Sequence, residues 1–183
     1  MIKIVKDTSP SIRQKSKEVP LPLSEDDQAF IDEMLLYLKL SQDDEYRKKH
    51  PNVREGVGLA APQAGRNVQM LVISYPTGDE RDPLVEYQLV NPRIVVSSLK
   101  QCYLSNGEGC LSVDAEHPGR VYRHYKIVVE AYDAKAHEHI RITARGYDAI
   151  VLQHEIDHLK GVLFYDHIDP KNPFKDVPGS VEI

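Results

Sequence analysis

Between residues 68 and 143 the chain carries five segments rich in β-branched and aromatic residues: 68–74, 87–91, 94–98, 121–131 and 139–143. Such residues suit a pleated, half-buried surface. Glycine, proline, asparagine and aspartate stand between the segments as turns. No helical pattern separates one strand from the next, so crossover βαβ units are ruled against and antiparallel sheets are predicted. Helical spacing appears only outside this stretch. Phe30, Ile31, Met34, Leu35 and Leu38 form one apolar stripe, opened by Ser24 with Asp27 three residues on in the manner of a capping box. A second helix is predicted over residues 146–159, closed by Gly161 just past its end. The class is α+β, and 183 residues fit one domain over 1–183. At finer grain, Met1–Val5 reads as a strand and residues 11–17 as a short helix behind Ser9-Pro10. The two prolines in 19–23 predict extended chain, and the polar run 41–54 is a partly helical surface excursion.

The second helix reads YDAIVLQHEIDHLKG. Ala149, Leu152, Ile156 and Leu159 share a core-facing stripe, while Tyr147, Val151, His154 and His158 share another face, with Ile150 beside it. His154 and His158, four apart, can bind one divalent metal from the same side, and Glu155 sits in reach of a water on that metal. Two histidines are an incomplete site, since catalytic zinc usually takes three protein ligands and keeps one open position. In the continuation HExxHxxGxxH, Gly161 falls in place but residue 164 is Phe164. The only later glutamate is Glu182, and Asp166 and Asp169 lie near Pro170 and Pro173 in a stretch unsuited to a helix. Upstream, Cys110 follows Gly109, which lets backbone approach a ligand, and a thiolate suits Zn²⁺ or Fe²⁺. A lone cysteine is as readily a small buried hydrophobe, the reading given to Cys102. His117, His124, His137, His139 and His167 fall at no ligand spacing with the helix. Asp157 leans to a structural role, and Arg120 and Arg123 are divided between peptide contact and solvent.

A formal charge of −5 argues against a broad basic surface for nucleic acid. Two cysteines, no apolar leader in MIKIVKDTSP and no apolar run of membrane length predict a cytoplasmic, soluble protein. The function classes left open are a metal-dependent hydrolase, including an endopeptidase with an acidic third ligand, and a non-catalytic peptide-binding module stabilised by metal.

Three segments together narrow this. Gly56–Gln63 (GVGLAAPQ), Glu108–Ser112 (EGCLS) and Gln153–Leu159 (QHEIDHL) resemble, in order and separation, the three motifs of peptide deformylase, and the extra segment 41–54 resembles the longer bacterial type 2 subgroup. The resemblance covers roughly residues 6–170. It implies antiparallel sheets around a central HExxH helix, with a long N-terminal helix. It implies Cys110, His154 and His158 as metal ligands with water in the fourth position, and Glu155 as general base and then general acid. Gln63 and the backbone N–H of Leu111 would hold the oxyanion. Val57, Gly58 and Gly109 would meet the extended substrate backbone, and Tyr147, Ile150 and Val151 would line the methionine pocket. The implied reaction removes the N-formyl group from the N-terminal formyl-methionine of new polypeptides, releasing formate. The implied cofactor is one divalent ion per chain, Fe²⁺ in the cell, with Zn²⁺, Ni²⁺ or Co²⁺ also suitable. The implied partners are N-formylmethionyl nascent peptides near the ribosome exit, with no nucleic acid and no membrane, and the chain is expected to be a monomer. Asp148, Ala64 and Leu152 depart from the subgroup pattern where a proline, a larger aliphatic and an aromatic are usual; they touch the helix start and its packing rather than the chemistry.

Overall fold

The computed structural model describes residues 2–81 and 83–183. Its helices are α1 (Glu25–Ser41), α2 (Asp44–Lys49) and α3 (Tyr147–Leu159). Its strands are β1 (Gly58–Ala60), β2 (Met70–Pro76), β3 (Leu84–Ser97), β4 (Gln101–Tyr103), β5 (Arg123–His124), β6 (Lys126–Asp133), β7 (Glu138–Arg145) and β8 (Val181–Glu182). The main sheet has the order β1-β2-β3-β6-β7, antiparallel at every pairing. A smaller sheet has the order β5-β4-β8. There β4 pairs with β5 antiparallel but with β8 parallel, so the expectation of antiparallel sheets is corrected at this one edge.

Other expectations are corrected as well. The strands predicted at 87–91 and 94–98 are one strand, β3. Asn91 takes φ 52° and Pro92 has no N–H, so the register against β6 slips between Val90 and Arg93 without ending the strand. The side chain of Asn91 bonds both the N–H and the carbonyl of Val19, at 2.9 and 2.8 Å. The segment 121–131 instead divides between the two sheets, as β5 and β6. Residues 2–5 form no strand, and Met1 lies outside the described residues. The predicted helix at 11–17 is only a 3₁₀ turn, Pro10–Arg13, because the Ser9 hydroxyl pairs with the Ser11 hydroxyl and caps no backbone N–H.

α1 begins where the Ser24 hydroxyl accepts from the Asp27 N–H at 3.1 Å. Its Ile31, Met34 and Leu38 are fully buried and belong to the core that includes Met70 and Val72 of β2. α3 packs its buried stripe, Ala149, Leu152, Ile156 and Leu159, into the core with Leu71, Leu89, Ile127 and Val129 of the main sheet. Burying each such leucine or isoleucine contributes about 1.5–3 kcal/mol. The helix ends in a Schellman arrangement: the Gly161 N–H donates to the His158 carbonyl (3.1 Å) and the Val162 N–H to the Asp157 carbonyl (3.0 Å), with Gly161 at φ 73°.

The N-terminal segment forms three hooks across the molecule. The Val5 N–H donates to the Gln63 carbonyl (2.8 Å) and the Asp7 N–H to the Ser112 carbonyl (2.9 Å). Between them, Lys6 Nζ donates to the Leu111 carbonyl (3.0 Å).

Candidate metal centre and active site

The face of α3 away from its core stripe carries His154 and His158 one turn apart, their Nε2 atoms 3.2 Å from each other. Cys110, in the loop after β4, brings its Sγ to 3.3 Å from His158 Nε2. One donor atom from each of the three residues lies within 4.8 Å of the other two. The other ring nitrogen of His154, Nδ1, lies 2.8 Å from Glu108 Oε2. An ionised carboxylate only accepts, so Nδ1 carries a proton; burial would lower the His154 imidazole, but its contacts with Cys110 and Glu108 outweigh that and raise it to about 10, so Nε2 binds a metal by giving up its proton. Burial, with His154 beside it, holds the His158 imidazole well below its ordinary value, so the ring is neutral and has one nitrogen lone pair to offer. A thiolate and two imidazoles so arranged are a fitting donor set for one divalent metal ion. The acidic alternatives lie elsewhere: Asp166 pairs with Arg13, Asp169 accepts from the N–H groups of Lys171 and Asn172, and Glu182 accepts from the Tyr103 hydroxyl. Among the other histidines, His117 stacks on Tyr165 and His124 bonds the Ser98 carbonyl. Cys102 is fully buried in β4.

Glu108, two residues before Cys110, is itself held by a buried arginine. Arg123, the buried first residue of β5, donates to both Glu108 oxygens (2.5 and 2.8 Å) and to Asp157 (2.9 Å), and Asp157 also lies 2.7 Å from His167 Nε2. Burial by itself would raise the Glu108 carboxyl; the bonds to Arg123 and His154 outweigh it and hold it at about 2. Asp157 is likewise held at about 2, burial being outweighed by His167 and Arg123. Arg123 thus faces the metal centre from behind, and Arg120 pairs with Asp176 at the surface. The only sequence signal for this chain of bonds was a carboxylate two residues ahead of the cysteine.

Glu155 is 4% exposed, and its Oε2 has no hydrogen-bond partner. Burial pushes its carboxyl up to about 7, against the pull of His154 and Arg123. It packs against Gly58 of β1, where an added Cβ would fall 2.7 and 2.8 Å from Glu155 Cδ and Cγ. The resemblance implies that this glycine admits substrate; the absence of a side chain there also makes the room that Glu155 occupies. Gln63 is buried, its Oε1 accepting from the Ala60 N–H (2.9 Å) and its Nε2 lying 3.3 Å from Cys110 Sγ and 3.2 Å from Ser112 Oγ.

One cavity of about 500 Å³ is lined by Val57, Gly58, Gln63, Gly109, Cys110, Leu111, Tyr147, Ile150, Val151, His154 and Glu155, every site residue named from sequence except His158, which is buried at 1% exposure. Gly56, Leu104 and Arg54 also line it, and sequence alone had not marked Leu104 or Arg54. Tyr147 stands half-exposed, edge-on to Tyr75 at 5.3 Å, and Asp148 accepts from the Tyr75 hydroxyl, which accounts for an acid at the helix start.

A sulfur-and-nitrogen metal site beside a buried carboxylate, set on an α+β framework and facing a partly apolar cavity, defines a metallohydrolase. The sequence pattern of the family described as Polypeptide deformylase matches residues 1–174, and the chain belongs to that family. It is 48% identical over 172 residues to the peptide deformylase of Macrococcus caseolyticus, covering 94% of this chain and 92% of that protein. It is 44% identical over 180 residues to peptide deformylase 2 of Geobacillus stearothermophilus, covering 98% and 96%. Among solved structures, a probable peptide deformylase from Synechococcus phage S-SSM7 superposes with a TM-score of 0.74 at 32% identity, over 92% of this chain and all of that one. The fold is the α+β fold of these enzymes, antiparallel sheets with few helices.

Proposed function

We propose that this chain carries out its family's reaction, the metal-dependent removal of the formyl group from the N-terminal methionine of new polypeptides, with Glu155 as the proton carrier. The observation that carries this reading is the convergence of Cys110, His154 and His158 beside a buried, unpartnered carboxylate. Cys110, His154 and His158 would hold the ion, and Glu108 keeps the His154 ring in the ligating tautomer. When bound, a divalent metal supplies Lewis acidity, lowering the pKa of a water toward about 7. Glu155, buried and without a partner at Oε2, accepts the proton of the attacking water and returns it to the leaving amine. Negative charge develops on the formyl oxygen, where donors such as the Leu111 N–H and Gln63 Nε2 are each worth roughly 3 kcal/mol. Val57, Gly58 and Gly109 present backbone to the extended peptide. Tyr147, Ile150 and Val151 offer an unbranched apolar slot for the methionine side chain.

In this reading residues 1–183 are one catalytic domain, α3 is its central element and α1 braces the sheet behind it. The donor set suits Fe²⁺, Zn²⁺, Ni²⁺ and Co²⁺ alike, availability selecting among them; we take Fe²⁺ as the ion in the cell. We place the protein in the cytoplasm as a monomer, meeting nascent chains near the ribosome exit. No helix among the described residues is long and apolar enough to cross a membrane. The endopeptidase alternative is not favoured, because a cysteine stands where it needs an acid, and a binding module has no use for Glu155. The test is formate release from a formyl-Met peptide by anaerobic, metal-loaded enzyme. Glu155→Gln is expected to keep its metal and lose at least about 10²-fold in kcat; retained turnover would remove Glu155 from the mechanism.

A further inference from the structure

Arg54 belongs to no motif, yet it grips the loop that carries the cysteine. Its Nη2 lies 2.8 Å from the carbonyl oxygen of Cys110, 2.6 Å from that of Leu111 and 3.1 Å from that of Val113. These are the carbonyls of a single tight turn, closed by the Val113 N–H donating to the Cys110 carbonyl at 3.1 Å. Lys6 Nζ reaches the same Leu111 carbonyl at 3.0 Å. Oxygens gathered this closely repel one another unless a cation collects them, so the guanidinium determines how the turn is held.

The peptide geometry carries the argument to the reaction. The peptide group is planar and trans, so the Cys110 carbonyl and the Leu111 N–H leave the same plane in opposite directions. Arg54 holds that carbonyl from one side, and Leu111 lines the cavity. Among the described residues, the Leu111 N–H donates to no protein acceptor. We infer that Arg54 is a positioning residue for the reaction: by fixing the Cys110–Leu111 peptide plane it presets the Leu111 N–H for the charge that develops on the formyl oxygen. This rests on the reading of that N–H as an oxyanion donor. A donor preset in this way has no reorganisation to undergo as the charge appears.

The test compares wild type with Arg54→Met, which keeps the stem and removes the donors, in formate release from a formyl-Met tripeptide. Bound metal is measured on the same samples by mass spectrometry. Arg54→Met is expected to lose about tenfold in kcat, less than the 10²–10³ of deleting a donor outright, with KM and metal content within about twofold of wild type. Should that variant not fold, Arg54→Gln is read by the same criteria. Unchanged kcat overturns the inference. A rise in KM at constant kcat also overturns it, making Arg54 a substrate contact, as does metal loss in proportion to kcat, making it a support for Cys110. If wild type releases no formate, the deformylase reading fails; if wild type is active, Glu155→Gln is inactive and Arg54→Met is normal, only this inference fails.

Discussion

At the residue scale the site is crowded around one carboxylate. Glu155 has Gly58 on one side and stands between His154 and His158 in sequence, and any side chain at 58 must displace it. Gly58→Ala is therefore expected to fold and hold metal but to lose on the order of 10²-fold in kcat, the lower range for a displaced general base. Formate release and metal analysis on the same preparation check this, and an unimpaired variant would show that Glu155 has room to spare. The residues that the fold brings together in the candidate site were legible from sequence because their chemistry is confined to few types: two histidines a turn apart, the acid between them, a cysteine after a glycine. Their supports were not. Glu108, Arg123 and Arg54 are ordinary charged residues whose meaning lies in what they face, and facing is a property of the fold.

At the scale of elements, legibility followed length. α3 and β6 have enough positions to display a period, whereas β1, β4 and β8 have three, three and two residues and cannot. Asn91-Pro92 looked like a turn because its chemistry interrupts pairing, yet a strand held on both sides survives the interruption. The elements are also tied by charge. Glu86 of β3 takes Lys39 from the last turn of α1 and Lys135 from beyond β6, and these bonds, Lys39 foremost, lower its carboxyl despite partial burial. A carboxyl lowered in the folded state adds stability that is complete above its unfolded value and is lost as pH falls through the folded one. Glu86→Gln is thus expected to melt below wild type at pH 7, by less than about 1 kcal/mol because both lysines are half-exposed or more. The two melting curves should converge in acid below both pKa values; a gap that persists there would assign the loss to packing instead.

At the scale of the whole molecule, the candidate metal site joins parts far apart in sequence, the Cys110 loop and α3. An ion bound only by the folded chain adds stability by mass action. Removing it with a chelator is expected to lower Tm by about 5–10 °C for an ion held at a hundredfold excess over Kd, and to abolish formate release. Both should return when Fe²⁺, Ni²⁺ or Co²⁺ is restored without oxygen. A melting temperature indifferent to the chelator would mean that the ion does not bridge the two parts. The hooks of Val5, Lys6 and Asp7 extend the same logic to the order in which the chain is made. Lys6 closes on a residue 105 positions further along, so residues 5–7 cannot take their place until the cysteine loop has been synthesised too. During synthesis residues 5–7 therefore stay undocked until more than half of the chain has been made, and the wall they form around Gln63 and Leu111 is closed only then.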